Sequence, residues 1–288
     1  MELVKLTKLE FSRIARLIYD HTGIHLPDTK LKLLSNRLRP RLKALKLDSF
    51  QTYYKLLLNA EKRKDELSHF LSAVTTNETY FFRNNKLWQF FQQTWLPEIV
   101  ARKKGASRPT IRICSAASSS GEEAYTAAIC LREKLPDFSR WRTSIIGYDI
   151  SDNMLEKARA AEYNDYAVSR MTKTLLNKWF EKDGQVYRLH SDIRKMVTFQ
   201  FHNLRDPFFG GRFDLIFLRN VLMYFDAPMN LKVINNVSAA LSPGGYLFVG
   251  DVDPIRNTPE LNQAMKLEYR EPNLYQKPVL TAVAAKSS

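Results

Sequence analysis

The chain has 288 residues, 44% of them hydrophobic, which is enough for one large or two modest folded domains. Its net charge of +14 points to an acidic partner: nucleic acid, a membrane surface or an acidic protein. No apolar run approaches the roughly 20 residues of a membrane span, and Met1–Lys8 lacks a signal-peptide core. The two cysteines, Cys114 and Cys130, read as reduced, packed thiols, so a cytoplasmic location is expected.

Residues 1–75 read as an all-helical domain. Thr7 is placed to cap a helix with Phe11, Ile14, Ala15 and Ile18 on its apolar face, and Gly23 ends it. Asp28 is placed to cap a second helix with Leu31, Leu34, Leu38, Leu42 and Leu45 on one side. The rest of that helix is basic, with Lys30, Lys32, Arg37, Arg39, Arg41, Lys43 and Lys46 and no acid between them. Such single-signed charge repels itself, so a docking role is expected. Pro40 should kink or divide the helix. A third helix starts at Asp48 or Ser49, and a fourth covers about 61–74.

Residues 76–109 form a linker and a helix over about 85–103. The linker, Thr75-Thr-Asn-Glu-Thr-Tyr-Phe-Phe-Arg83, is too rich in polar and aromatic groups to be a mere spacer. From residue 110 to 288 strands and helices alternate, which predicts an α/β domain with a mostly parallel sheet. Strands are expected at 111–114, 144–148, 214–218 and 246–249, with helices over 122–135, 152–161, 173–180 and from Asp226 to 241. A small antiparallel insertion at about 181–200 is expected to pair 185–189 with 196–201, and a last hairpin turns at Pro272-Asn273.

The first strand runs into Ser115-Ala-Ala-Ser-Ser-Ser-Gly121, a loop almost without side chains, and then into Glu122-Glu123 at a helix start. Small residues let a ligand lie against the backbone, and the helix N-terminus offers free N–H groups. The loop has no Lys and ends in acids, so it suits a cationic or hydroxyl-bearing ligand better than a phosphate. Ligands of open α/β sheets bind beyond the carboxyl ends of the strands. Those ends carry Asp149, suited to ribose hydroxyls, then Asn203-Leu204, then Arg219-Asn220 with Tyr224 close behind. An adenosine group without phosphates fits, and S-adenosylmethionine has a sulfonium and an ammonium that tolerate nearby carboxylates. No metal site is expected: His21 and His25 flank the turn at Gly23 and no further ligand joins them.

These pieces together resemble the chemotaxis receptor glutamate methyltransferases, the CheR family, along nearly the whole chain. The resemblance implies a class I S-adenosylmethionine-dependent methyltransferase, Rossmann-like, with an N-terminal all-helical domain and a small antiparallel β insertion. It implies a cofactor site lined by Asn77, Thr79, Arg83, Glu123, Asp149, Asn203, Leu204, Arg219 and Asn220, with Arg83 and Tyr224 nearest the reacting carboxylate. The implied reaction moves a methyl group from S-adenosylmethionine to receptor glutamates and leaves S-adenosylhomocysteine.

The implied partners are chemoreceptor methylation helices docked through Arg37, Arg41 and Lys43. Members that bind a receptor-tail pentapeptide look longer at the insertion than Lys182-Asp-Gly-Gln185, so no such tether is expected. A second departure, Gly250-Asp-Val-Asp253 where Gly-His-Ser-Glu is frequent, leaves the floor of the site open. Rival readings are a nucleic-acid methyltransferase using the basic helix on phosphates, and a non-catalytic S-adenosylmethionine-binding adaptor. No base-flipping motif or aromatic-interleaved basic patch supports the first, so no nucleic acid is expected. Arg83 and Tyr224 argue against the second.

Overall fold

The computed structural model describes residues 4–279 except 209, 210, 254, 256, 257, 259, 260, 262, 264 and 265. The N-terminal domain packs α1 (Lys8–Thr22), α2 (Leu31–Ala44), α3 (Phe50–Leu58) and α4 (Ala60–Val74) around Phe11, Ile14, Ile18, Leu34, Leu38, Phe50, Tyr53 and Phe70. Thr7 and Glu10 form a reciprocal capping box at the start of α1, and Gly23 ends the helix at φ 78°. Asp28 does not cap α2; it opens a 3-10 turn, Asp28–Lys30, that leads into it. Pro40 does not divide α2 either. It lies on the exposed side, and Asn36, four residues back, is exposed too, so water can take up the missing hydrogen bond.

The basic face of α2 also differs from expectation. Arg41 turns to Glu66 on α4 in a two-pronged pair, Nε–Oε1 2.9 Å and Nη2–Oε2 2.6 Å, and Tyr53 donates its hydroxyl to Glu66 Oε1 at 2.7 Å. Glu66 is 4% exposed. Arg37 donates to Val74 O and to Thr76 Oγ1. Neither guanidinium is therefore free for a partner in the way the sequence suggests; Lys32, Lys43 and Lys46 are exposed. The acid that takes up Arg41 lies on another helix, where the spacing along α2 cannot show it.

α5 (Asn85–Phe90) and α6 (Leu96–Lys103) make one helix interrupted by a π turn at Phe91–Trp95. There Leu96 N–H reaches back to Phe91 O, just ahead of Pro97, which has no N–H to offer. The α/β domain follows: β1 (Thr110–Ala116), α7 (Glu122–Lys134), β2 (Arg142–Asp149), α8 (Asp152–Ala160), β3 (Glu162–Tyr163), α9 (Asp165–Val168), α10 (Lys173–Trp179), β4 (Phe180–Asp183), β5 (Val186–Leu189), α11 (Ser191–Arg194), β6 (Val197–Phe201), β7 (Phe213–Leu218), α12 (Ala227–Ala240), β8 (Leu241–Val249), β9 (Glu268–Glu271) and β10 (Leu274–Gln276).

The main sheet has seven strands in the order β6-β2-β1-β7-β8-β10-β9. β6 through β8 run parallel, and β10 and β9 join antiparallel. Its central strands are mostly apolar, as a sheet covered on both faces requires; all of β7 is buried, Asp214 included. Aromatics from α5 and the π turn, Trp88, Phe91 and Trp95, pack on one face with Phe217 and Phe248.

A separate three-stranded sheet, β3-β5-β4, is antiparallel. The expected pairing of 185–189 with 196–201 is wrong. β5 pairs with β4 across a tight turn in which Gly184 has φ 59°, and β6 leaves to lie parallel to β2. The small sheet thus begins at Glu162 and ends at Leu189. No helix among the described residues is long and apolar enough to cross a membrane.

Candidate active site

The loop after β1 reverses the chain through left-handed residues: Ala117 at φ 62°, Ser119 at φ 51° and Gly121 at φ 91°. Gly121 has a second reason to be glycine: a Cβ there would lie 2.7 Å from the Phe199 ring. The loop is pinned from β2, because Ser118 N donates to Tyr148 O at 2.8 Å and Ser119 N donates to Asp149 Oδ2 at 2.8 Å. The other Asp149 oxygen accepts from Ser151 N at 2.9 Å. Burial pushes this carboxyl above its ordinary pKa, and hydrogen bonds from the backbone of Ser151, Ser119 and Ile150 pull it back down.

The paired acids diverge. Glu123 faces the site, accepting from Ser115 Oγ at 2.7 Å and pairing with Arg219 Nη1 at 2.8 Å. Glu122 turns away into the packing, 3% exposed, with Ser120 Oγ at 2.8 Å. Burial pushes its pKa up to about 7, while its own backbone N–H, Ser120 and Lys157 oppose the rise.

Arg219 ends β7 and is 8% exposed. Its Nη2 donates to Arg83 O at 3.1 Å, and its buried Nε has no hydrogen-bond partner among the described residues. Arg83 closes the segment from α4. Its Nη1 donates to Glu78 O at 2.6 Å and its carbonyl also accepts from Trp88 Nε1 at 3.0 Å. Asn77 stacks its backbone on the small loop, its carbonyl accepting from Ser119 Oγ at 3.1 Å. Phe82 and Asn84 are left-handed, at φ 59° and 65°, and so is Asn220 at φ 57°. Non-glycine residues in this region cost roughly 1–3 kcal/mol each, and such strain gathers at functional sites.

The turn after β7 is held by a residue the sequence left open. Asp253 Oδ2 accepts from Asn220 N at 2.9 Å and Gly250 N at 2.8 Å, and Oδ1 accepts from Leu222 N at 3.0 Å. The departure at Gly250–Asp253 therefore supplies an anchor for the stretch that carries Tyr224. From the other side, the α1–α2 connection is stitched to the same stretch. Ile24 and Phe225 form an antiparallel bridge and His25 N donates to Tyr224 O at 2.8 Å. Asn203 Nδ2 donates to His21 O at 2.7 Å.

These elements enclose a cavity of about 590 Å3, ordinary for a small-molecule site. Asn77, Thr79, Arg83, Glu123, Asp149, Asn203, Leu204, Arg219, Asn220 and Tyr224 all line it. So do residues that sequence reasoning did not place there. Arg37 is one; burial lowers its pKa and the nearby Tyr224 opposes this. His202 is another, between the rings of Tyr148 and Phe208 at 5.0 and 4.6 Å. The adjacency of His202 to Asn203 was the available signal for it; Arg37 gave none, because its helix is remote in sequence.

The donor set suits a zwitterionic nucleoside. Carboxylates lie at the end of β2 and at the start of α7, a small-residue loop permits close backbone approach, and Arg219 brings a positive charge to the lining. A Rossmann-like, mostly parallel sheet with this site at its carboxyl edge is the layout of the class I S-adenosylmethionine-dependent methyltransferases.

The family follows from sequence comparison. The CheR methyltransferase SAM-binding domain matches residues 77–270 and the CheR methyltransferase all-alpha domain matches residues 9–75. Similar proteins include a probable chemotaxis protein methyltransferase of Rhizobium etli, 33% identical over 81% of this chain and 88% of that one. The chemotaxis protein methyltransferase of Borreliella burgdorferi is 31% identical over 93% and 96% of the two chains. Chemotaxis protein methyltransferase 1 of Vibrio cholerae is 35% identical over 87% and 90%. The chain belongs to the CheR methyltransferase family, and S-adenosylmethionine is its cofactor.

Proposed function

We propose that the chain esterifies glutamate side chains of chemoreceptors, the methyl-accepting chemotaxis proteins, in the cytoplasm. The observation that carries this is the reach of this cavity. It extends from Asp149 at the end of β2 and Glu123 at the start of α7 to Tyr224, to Lys30 and to Arg37 on the basic helix α2. The relatives named as chemotaxis methyltransferases support the same acceptor.

A glutamate side chain has an ordinary pKa near 4.3, so the acceptor is ionised at neutral pH and needs no general base. Bound S-adenosylmethionine would supply its sulfonium methyl group to a carboxylate oxygen and leave as S-adenosylhomocysteine, with no proton to be moved. The protein's work is alignment and exclusion of water. In this reading Asp149 takes the ribose hydroxyls. Asn77, Thr79, Arg83, Glu123, Asn203, Leu204, Arg219 and Asn220 line the cofactor. Arg83 steers the acceptor carboxylate and Tyr224 holds one of its oxygens. A full salt bridge to the nucleophile would blunt it, so final orientation falls to the tyrosine.

Acceptor helices, acidic around their modified glutamates, dock on the exposed Lys32 and Lys43 of α2 and on Lys46 just past its end, with Arg37 lining the cavity beside them. The two-residue turn between β4 and β5 supports docking without a pentapeptide tether.

The test uses methyl-labelled S-adenosylmethionine and receptor cytoplasmic fragments. Alkali should release the label as methanol, as a carboxyl ester does; label that survives alkali would point to a nitrogen or base acceptor and sink this reading. In the same assay Tyr224→Phe should cut turnover about ten-fold while calorimetric affinity for the cofactor holds.

A further inference from the structure

The segment that carries Arg83 is held by the small β sheet as well as by the main one. Phe81 N donates to Ala167 O at 2.9 Å, and its buried ring meets Tyr163 and Phe180 edge-on at 4.9 and 5.1 Å. On the outer side, Tyr166 on α9 donates its hydroxyl to Glu78 Oε1 at 2.8 Å. The Tyr166 ring meets Tyr80 edge-on at 5.9 Å. Glu78 accepts Arg83 Nη1 on its carbonyl, and the Arg83 guanidinium lies 5.7 Å from the centre of the Tyr80 ring. Tyr166, Glu78, Tyr80 and Arg83 thus form a closed circuit of contacts. Glu78, Tyr80 and Arg83 line the cavity, and Tyr166 stands behind them.

The arrangement is poorly explained by stability. Tyr166 is 53% exposed, so its hydroxyl shields no core and its loss would leave no buried group unpaired. What the circuit does restrict is the arginine. A free Arg side chain loses rotamer entropy when a ligand orders it, a cost that prior positioning removes.

We propose that Tyr166 is a positioning residue of the methyl-transfer site, setting the Arg83 guanidinium through Glu78 and Tyr80. The small β sheet is then part of the scaffold of the reaction. The inference rests on the reading above that Arg83 lines the cofactor.

The experiment is calorimetric binding of S-adenosylmethionine to the full chain, with thermal melts alongside. Tyr166→Phe keeps the ring contact and removes the hydroxyl. It should weaken binding about five-fold with an unchanged melting temperature. In an Arg83→Ala background the same substitution should have no further effect, because its target is gone. Undiminished affinity in Tyr166→Phe overturns the proposal. So does a five-fold loss that persists without Arg83, and so does a loss that tracks a lowered melting temperature. If Arg83 itself is misassigned, Arg83→Ala alone leaves affinity intact, which separates that failure from a failure at Tyr166.

Discussion

Among the described residues, two arginine–glutamate pairs are largely shielded from water, and they are finished differently. In the helical domain Arg41 meets Glu66 through two parallel hydrogen bonds, and Tyr53 occupies a further position on the carboxylate. In the site Arg219 meets Glu123 through one nitrogen, spends a second on Arg83 O, and leaves Nε without a partner among the described residues. Side-chain exposures are similar in kind, 22% and 5% for Arg41 and Glu66 against 5% and 14% for Arg219 and Glu123. The difference is saturation. A saturated pair holds two helices together and offers a ligand little; an unsaturated one keeps donors and lone pairs in hand for a charged guest. Glu122 is a third case, a buried carboxyl that accepts from the Ser120 hydroxyl and serves neither purpose directly.

The largest effect expected is at the saturated pair. Glu66→Ala strands Arg41 and the Tyr53 hydroxyl and should cost about 3 kcal/mol in denaturant unfolding, discounted for the partial exposure of Arg41. Cofactor affinity of the folded fraction should hold. A loss of affinity matching the loss of stability would erase the distinction drawn above.

Glu122 should come next, and it shows itself through pH. Its folded pKa is about 7 against an ordinary 4.5, so the folded chain holds the proton to higher pH than the unfolded chain. Its contribution to stability is therefore full below about 4.5 and is lost as pH rises toward 7. Glu122→Gln, uncharged throughout, should match the wild type near pH 4.5 and exceed it by about 3 kcal/mol at pH 8. Parallel stability profiles for the two proteins would show that Glu122 is already ionised in the fold.

The smallest effect on the fold should come from the unsaturated pair. Arg219→Lys keeps the charge but cannot reach Glu123 and Arg83 O together, and it removes Nε. Binding of S-adenosylmethionine should fall about ten-fold while the melting temperature drops less than in Glu66→Ala. The reverse pattern, a lower melting temperature with intact binding, would make Arg219 a strut like Arg41.

What could be read in the sequence was whatever is encoded by neighbours along the chain. The strand, small loop and helix around Ser115–Glu123 form a contiguous unit, and Asp149 and Arg219 follow their strands directly, so these residues announced themselves. The hairpin error had a local remedy: Gly184-Gln185, with glycine first, is a two-residue turn signal, and it joins β4 to β5. Where β6 goes is another matter. Its alternation of buried and exposed residues suits the edge of either sheet, and only packing beside β2 decides. Arg41 with Glu66, Asn220 with Asp253 and Glu78 with Tyr166 are partners across the fold, and nothing local marks them. The self-repulsion argument for α2 failed for that reason at Arg41, whose compensating acid sits on α4.

The bridge between Ile24 and Phe225 also bears on how such a chain can be recombined. Cutting between the helical and α/β parts near residue 75 separates two sequence matches but not two working parts. A chimaera that takes its first 75 residues from one relative and the remainder from another inherits a foreign backbone stitch at Tyr224 and a foreign carbonyl, that of His21, at Asn203. The helical part is therefore not a detachable cassette. A transplant must bring the α1–α2 connection and the turn after β7 together.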